Sequence, residues 1–330
     1  MKKIIPLVEP PITTYPAIAN ILSLKWGKNK SSNAWFMDHF IQLVVRPNHE
    51  HTFGDFYDHA DLDNFYRIIY GLPGLGWMRV NKGVAGFDKF SDFIEHEIDN
   101  DYCVEACVDR YYFKFLEKKY RKNHYIHSSM IYGYDDNEKT VNIADFFIDG
   151  KYESKVISYD EINASMNNDW LINLYRDEYA EYEFNEKLMK KYLEDYIYSR
   201  DSFNKFAFSN KKYNEGVIFG VAYYDYLIDC LHKENGKDYR MYHILYDHKK
   251  LMKKRLEYLI NLKKYDCEKI ALLLCENENL IRESKVLRAY FLKYCLNQST
   301  QVMDKIKDRV ISLKEKDISF VKSFIDIISE

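Results

Sequence analysis

Apolar residues recur along this chain at two periods, and the change from one to the other divides it at about residue 180. The first part mixes helix and strand signals. "NAWFMDHFIQLVV" (33–45) sets apolar residues at 36, 37, 40, 41 and 44 on one helical face, with Asn33 as its N-cap. "YCVEACVDRYYF" (102–113) alternates and is rich in Val, Cys and Tyr, which predicts a strand carrying Cys103, Glu105 and Cys107 on one face. Ser158 and Glu161 have the spacing of a capping box opening a short helix, and "DWLINLYRDEYAEYEF" (169–184) predicts a last strand. From Asn185 onward the spacing is helical, beginning with Leu188, Met189, Tyr192, Leu193, Tyr196 and Ile197, and Gly and Pro almost vanish. The expected architecture is an α/β (α+β) domain with an antiparallel sheet over 1–180, then an all-α helical domain over 181–330.

"HYIHSSMIYGYDDNEKTVNIADFF" (124–147) predicts a hairpin. A three-residue loop, Asp135-Asp136-Asn137, would set Tyr134 opposite Glu138 and His127 directly opposite Asp145, on one face. An Asp so placed accepts the Nδ1 proton of the imidazole and orients the ring, making His127 a candidate general base. The same spacing also describes an ordinary polar contact on a sheet surface.

Composition narrows the function classes. A formal charge of −3 supplies no basic field, so nucleic acid is not an expected partner. Pro6, Glu9, Pro10 and Pro11 interrupt the apolar start "MKKIIPLVEPP", and no run of eighteen apolar residues occurs, so neither secretion nor a membrane is expected. Six cysteines without a CxxC pair fit a reducing cytoplasm rather than a disulfide framework. "IIYGLPGLGWMRV" has glycines but lacks the Lys-Ser/Thr of a phosphate loop. No cofactor is expected. His49, His51 and His59 with Asp55, Asp58, Asp61 and Asp63 have metal-ligand chemistry but no spacing that forces convergence, and a solvated loop is the simpler reading.

"HSSMIYGYDDNEKTVNIADFF" resembles the histidine segment of the papain-like fold of bacteriocin-processing (C39-type) peptidases. It resembles more closely the amino-terminal domain of the butirosin-biosynthesis acyltransferase family, with a histidine, an apolar strand, a Gly-Tyr-Asp-Asp turn and an Asp on the next strand. The resemblance implies a papain-like domain with His127 as base and Asp145 as orienter. It also implies transfer of an acyl group from a carrier-bound thioester to an amine, in specialised peptide or amide metabolite biosynthesis. Its nucleophile is a Cys at the start of the first long helix, where helix dipole and imidazole favour the thiolate.

"KSSNAWFMDHF" has no Cys at the matching place. Ser31 or Ser32 as an oxygen nucleophile, a cysteine arriving from elsewhere, and a non-catalytic scaffold binding a carrier protein or peptide intermediate all stay open; a peptidase-like hydrolase is a further alternative. "KKLMKKRLEYLINLKK" is basic enough for one face to dock an acyl or peptidyl carrier protein, although a solvated helix face is the commoner use. His243 and Asp247 stand one helical turn apart, a spacing that ordinarily gives local stabilisation and could also line a cleft between domains.

Overall fold

The computed structural model describes residues 1–47, 54–57, 71–166, 171–202, 216–233 and 238–330. The chain forms two compact units, one of residues 1–33 and 72–181, the other of 34–71 and 182–330. The expected boundary near 180 is thus one of three crossing points, and residues 34–71 group with the carboxy-terminal part. His49, His51, His59, Asp58, Asp61 and Asp63 lie outside the described residues.

The first unit is built on a seven-stranded antiparallel sheet. Its strands are β1 (Lys2–Ile4), β4 (Leu75–Asn81), β5 (Cys103–Asp109), β6 (Ile126–Asp135), β7 (Thr140–Ile148), β8 (Lys151–Ser158) and β9 (Leu171–Asp177). The order is β4-β9-β5-β6-β7-β8, and β1 pairs with the far end of β6. Gly133 permits that approach: a Cβ there would lie 3.0 Å from the Lys3 carbonyl oxygen. Val104, Ala106, Val108, Ile131, Val141, Ile143, Ile172 and Leu174 occupy one sheet face. Phe90, Phe93, Ile94 and Ile98 of α4 (Phe90–Asp99) and Ile162 of α5 (Tyr159–Ala164) cover it. The expected capping box opens α5: the Glu161 amide donates to Ser158 Oγ, and the Ser158 amide to Glu161 Oε2. Helix α1 (Pro16–Lys25), with Pro at its first position, packs on β6, β7 and β9, while α3 (Lys82–Ala85) follows β4.

Helix α2 (Lys30–Asp38) is shorter than expected and begins earlier. Asn29, not Asn33, caps it by accepting from the Ser32 amide, while Asn33 Oδ1 accepts from the Gly27 amide. Phe40 takes a left-handed φ of 55° and ends the helical path. The apolar run that follows becomes β2 (Leu43–Val45), paired with β3 (Gly54–Phe56) and β10 (Ile218–Phe219) in a three-stranded sheet. Helical periodicity over 33–45 is therefore partly accidental, because a run of consecutive buried residues satisfies either period. Arg255, fully buried, donates to the carbonyls of Met37 and Phe40 at 3.0 and 2.8 Å and also to that of His39. It satisfies the end of α2 with the charge a helix carboxy terminus favours.

The remaining described helices of the second unit are α6 (Glu186–Ile197), α7 (Ala222–Cys230), α8 (Arg240–Leu262), α9 (Cys267–Asn297) and α10 (Thr300–Ile327). Asn185 caps α6, accepting from the Leu188 amide. Along α9 the buried residues are Ile270, Leu273, Asn277, Leu280, Ser284, Leu287, Phe291 and Tyr294, in steps of three and four. This seam packs α9 against both α8 and α10.

Several polar positions on these seams bond to one another, although Asn277 Oδ1 and Asp317 Oδ1 have no hydrogen-bond partner among the described residues. Asp317 of α10 accepts from Lys249 Nζ at 2.5 Å, Tyr196 Oη at 2.5 Å and Tyr224 Oη at 2.9 Å. Lys249 also donates to His248 Nδ1 at 2.9 Å, and His248 Nε2 donates to the Ile41 carbonyl at 2.8 Å. The basic stretch of α8 lies only partly at the surface. Lys249 and Arg255 are buried, and Lys253 and Lys254 pair with Glu278 and Glu257.

Burial, and then the positive charges of Lys249 and Arg255, hold the His248 imidazole well below its ordinary pKa; burial also lowers His243. Folding therefore excludes a proton that the unfolded chain binds below about pH 6.5. Stability should fall as pH drops from about 7 to about 5, by up to about 1.4 kcal/mol per pH unit for each such histidine. Urea unfolding of the wild type and of His248→Phe, which keeps the stack on Phe56 and Tyr196, should show a shallower loss in the variant. Equal slopes would contradict this assignment.

Candidate functional site

The hairpin brings His127 and Asp145 together, through a register other than the expected one. The loop has four residues, Asp136–Lys139, with Lys139 at a φ of 51°. Tyr134 faces Val141 rather than Glu138, an odd displacement that alone would put Asp145 on the wrong face. A bulge between Ile131 and Gly133 restores the parity, so that Ile131 pairs with Ile143 and Met130 with Ala144. One step further, Asp145 stands level with Ser129, and His127 reaches it diagonally. The Nδ1–Oδ2 distance is 2.9 Å.

Asp145 is fully buried and has further partners. Arg110 Nη2 donates to its Oδ2 at 2.5 Å, and Ser129 Oγ donates to the same oxygen. The Phe146 amide donates to Oδ1 at 2.6 Å. Arg110, from the 3₁₀ turn Arg110–Tyr112 that follows β5, is itself buried; it donates to the Phe146 carbonyl at 2.9 Å and lies over the rings of Tyr125 and Phe147. The aspartate is thus the anion of a buried ion pair first and the orienter of an imidazole second.

The imidazole Nδ1 faces two acceptors, Asp145 Oδ2 and the Ser128 carbonyl at 3.2 Å, and one donor, Arg110 Nη2 at 2.9 Å. A proton on Nδ1 serves both acceptors and leaves Nε2 as the free nitrogen. Among the described residues Nε2 has no hydrogen-bond partner, and the ring stacks on Tyr125 with centroids 5.6 Å apart.

The sequence candidates for a nucleophile lie elsewhere. His127, Ser129 and Asp145 share the sheet face of Val108 and Ile131, as the pairing of Val108 with His127 fixes. Helix α1 covers the opposite face. Ser32, buried, donates to the carbonyls of Lys25 and Asn29 at 3.2 Å, which ties it to the end of α1. Ser31 is its half-buried neighbour, and neither serine bonds to His127. The first long helix is α1, and Thr13, Thr14 and Tyr15 precede it rather than a cysteine.

Cys103 and Cys107 point to the α1 face of β5. Burial pushes the Cys103 thiol far up; the exposed Cys107 thiol is also raised, by partial desolvation and then by the Glu105 and Asp145 carboxylates. Cys230, Cys267, Cys275 and Cys295 belong to the second unit.

On the α1 face a second buried carboxylate organises the packing. Glu105 Oε1 accepts from Asn20 Nδ2 at 2.8 Å and Ser128 Oγ at 2.9 Å, and Oε2 from Asn173 Nδ2 and Tyr175 Oη, both at 2.9 Å. Four neutral donors fill the four lone-pair positions of a carboxylate. Sequence reasoning missed this cluster and Arg110, although a lone charge inside "CVEACV" signals that partners must exist.

Elsewhere the polar clusters are local. Asp109 accepts from His124 Nδ1 at 2.5 Å and from the amides of Tyr111 and Tyr125. Desolvation would raise this carboxyl, and these bonds outweigh it and hold it below its ordinary value. His243 and Asp247 approach to 3.5 Å, with Arg288 at His243 Nδ1, a local helix contact within the second unit. Among the described residues no group of three or more His, Cys, Asp or Glu is arranged to hold a metal ion. No helix there is long and apolar enough to cross a membrane.

No family model matches the chain, and no curated protein matches it. What the chain is rests on its own geometry.

Removing Arg110 leaves the Asp145 charge buried with neutral donors and one imidazole. Arg110→Met should cost about 3–5 kcal/mol in urea unfolding, whatever its effect on any ligand. A cost below about 1 kcal/mol, the range of an exposed pair, would refute the keystone role.

Proposed function

We propose that this chain is a papain-like protein, akin to the butirosin-biosynthesis acyltransferases, in which the base–orienter pair persists without a nucleophile. Its work is to bind a carrier protein or a peptide intermediate of specialised metabolite biosynthesis, not to form an acyl-enzyme. The order of a helix, an antiparallel sheet with His127 and Asp145 on adjacent strands, and a long helical region supports the kinship. One observation carries the loss of chemistry: Nε2 of His127 has no thiol or hydroxyl partner among the described residues, and Ser32 and Cys107 lie toward the opposite sheet face.

Covalent catalysis needs a nucleophile within hydrogen-bond reach of its base. Ser32 spends its hydroxyl proton on backbone carbonyls, and Cys107 has a raised rather than lowered thiol. Arg110 further changes the character of the pair. Its guanidinium compensates the Asp145 charge that would otherwise stabilise an imidazolium during proton transfer.

Incubation with a small thioester surrogate, followed by intact-mass spectrometry, should show no adduct beyond that of the His127→Ala protein. An acyl adduct that forms on the wild type and is lost in His127→Ala would restore the acyltransferase and end the binding-only reading.

A further inference from the structure

The segment joining the 3₁₀ turn to β6, residues 113–125, carries Lys114, Lys118, Lys119, Arg121 and Lys122 against one carboxylate, Glu117. Its net charge is +4 in a chain of −3, so the rest of the molecule carries −7. All five cations are exposed, and none forms an ion pair or a side-chain hydrogen bond among the described residues. Some lysines elsewhere are neutralised, Lys264 by Glu186, Lys269 by Glu330 and Lys316 by Glu283, and others such as Lys285, Lys293 and Lys305 are exposed without an ion pair among the described residues; what sets this segment apart is five cations within nine residues.

The segment is held in one shape. Phe113 and Leu116 are buried in the sheet core, and the Arg121 amide donates to the Tyr111 carbonyl at 2.9 Å. Amides of Lys119 and Tyr120 donate to the Leu116 carbonyl at 2.7 and 2.8 Å, and the Lys114 amide to Glu161 Oε1 at 2.8 Å. A charged surface fixed before binding loses little conformational entropy on association.

We propose that residues 114–125 form a docking surface for an acidic segment of another protein. Charge complementarity selects an anionic partner, and two observations favour a protein over a nucleic acid. The tyrosines here already have ring faces occupied by the chain itself: Tyr111 by His124 at 4.1 Å, Tyr120 by Arg121, and Tyr125 by Lys119, Arg110 and His127. Single-stranded nucleic acid binding relies on such faces for its bases. A long polyanion would also extend beyond the patch in a chain whose other residues sum to −7, whereas a short acidic segment stays within about one Debye length of the cations. Tyr125 belongs both to this surface and to the surroundings of His127, on whose ring it stacks, so an occupant would sit beside the imidazole.

The test uses the full chain and a fluorescent Glu- and Asp-rich peptide of about sixteen residues, read by anisotropy. The triple reversal Lys118→Glu, Lys119→Glu, Lys122→Glu should weaken binding at least about tenfold, as should raising salt from about 50 to about 300 mM. Reversing exposed Lys285, Lys293 and Lys305 of the helical region should change it by no more than about twofold. An unchanged affinity in the first variant, with its thermal unfolding intact, would overturn the proposal. Tighter binding of a single-stranded oligonucleotide through the same lysines would replace it with nucleic acid. Self-association of the wild type that the reversal abolishes, seen by sedimentation, would replace it with a second copy of the chain.

Discussion

Asp145 is a carboxylate without access to water, and the polar end of the sheet is organised around satisfying it. Leaving such a charge unpaired costs more than most single contacts return, so its partners must be present together. They come from three places in the chain: Arg110 after β5, His127 and Ser129 on β6, and the Phe146 amide of β7 itself. Each partner then restrains its own element. Arg110 fixes the 3₁₀ turn from which the basic segment departs, and His127 is held through Nδ1. The geometry of a catalytic pair follows here from the needs of a buried ion.

The same device recurs on the other sheet face and in the helical region, with different chemistry. Glu105 is balanced by four neutral donors and joins α1 to β5, β6 and β9. Asp317 is balanced by Lys249 together with two tyrosines, and joins α6, α7, α8 and α10. Arg255 uses carbonyls instead of a carboxylate. Buried polar groups of this kind add little net stability over apolar packing, but they penalise any arrangement in which a partner is missing.

Elements with a strong period were legible in the sequence: the strand of Cys103–Asp109, the capped α5 and the helices after Asn185. The segment 33–45 was not, because consecutive buried residues fit helix and strand alike, and Phe40 in a left-handed conformation decides between them. Contact between His127 and Asp145 was legible, and the register was not. Loop length and bulge each displaced the pairing, and only their combined even shift kept both side chains on one face. Arg110 was hidden because its partner lies 35 residues on in the chain, a distance that no local pattern spans.

The most direct test is a pair of double-mutant cycles for folding stability, one coupling Arg110 with Asp145 and the other His127 with Asp145. A buried ion pair as keystone predicts a coupling of about 3 kcal/mol or more for the arginine and about 1 kcal/mol for the histidine. A larger coupling for His127 than for Arg110 would contradict this picture and return Asp145 to the role of a catalytic orienter.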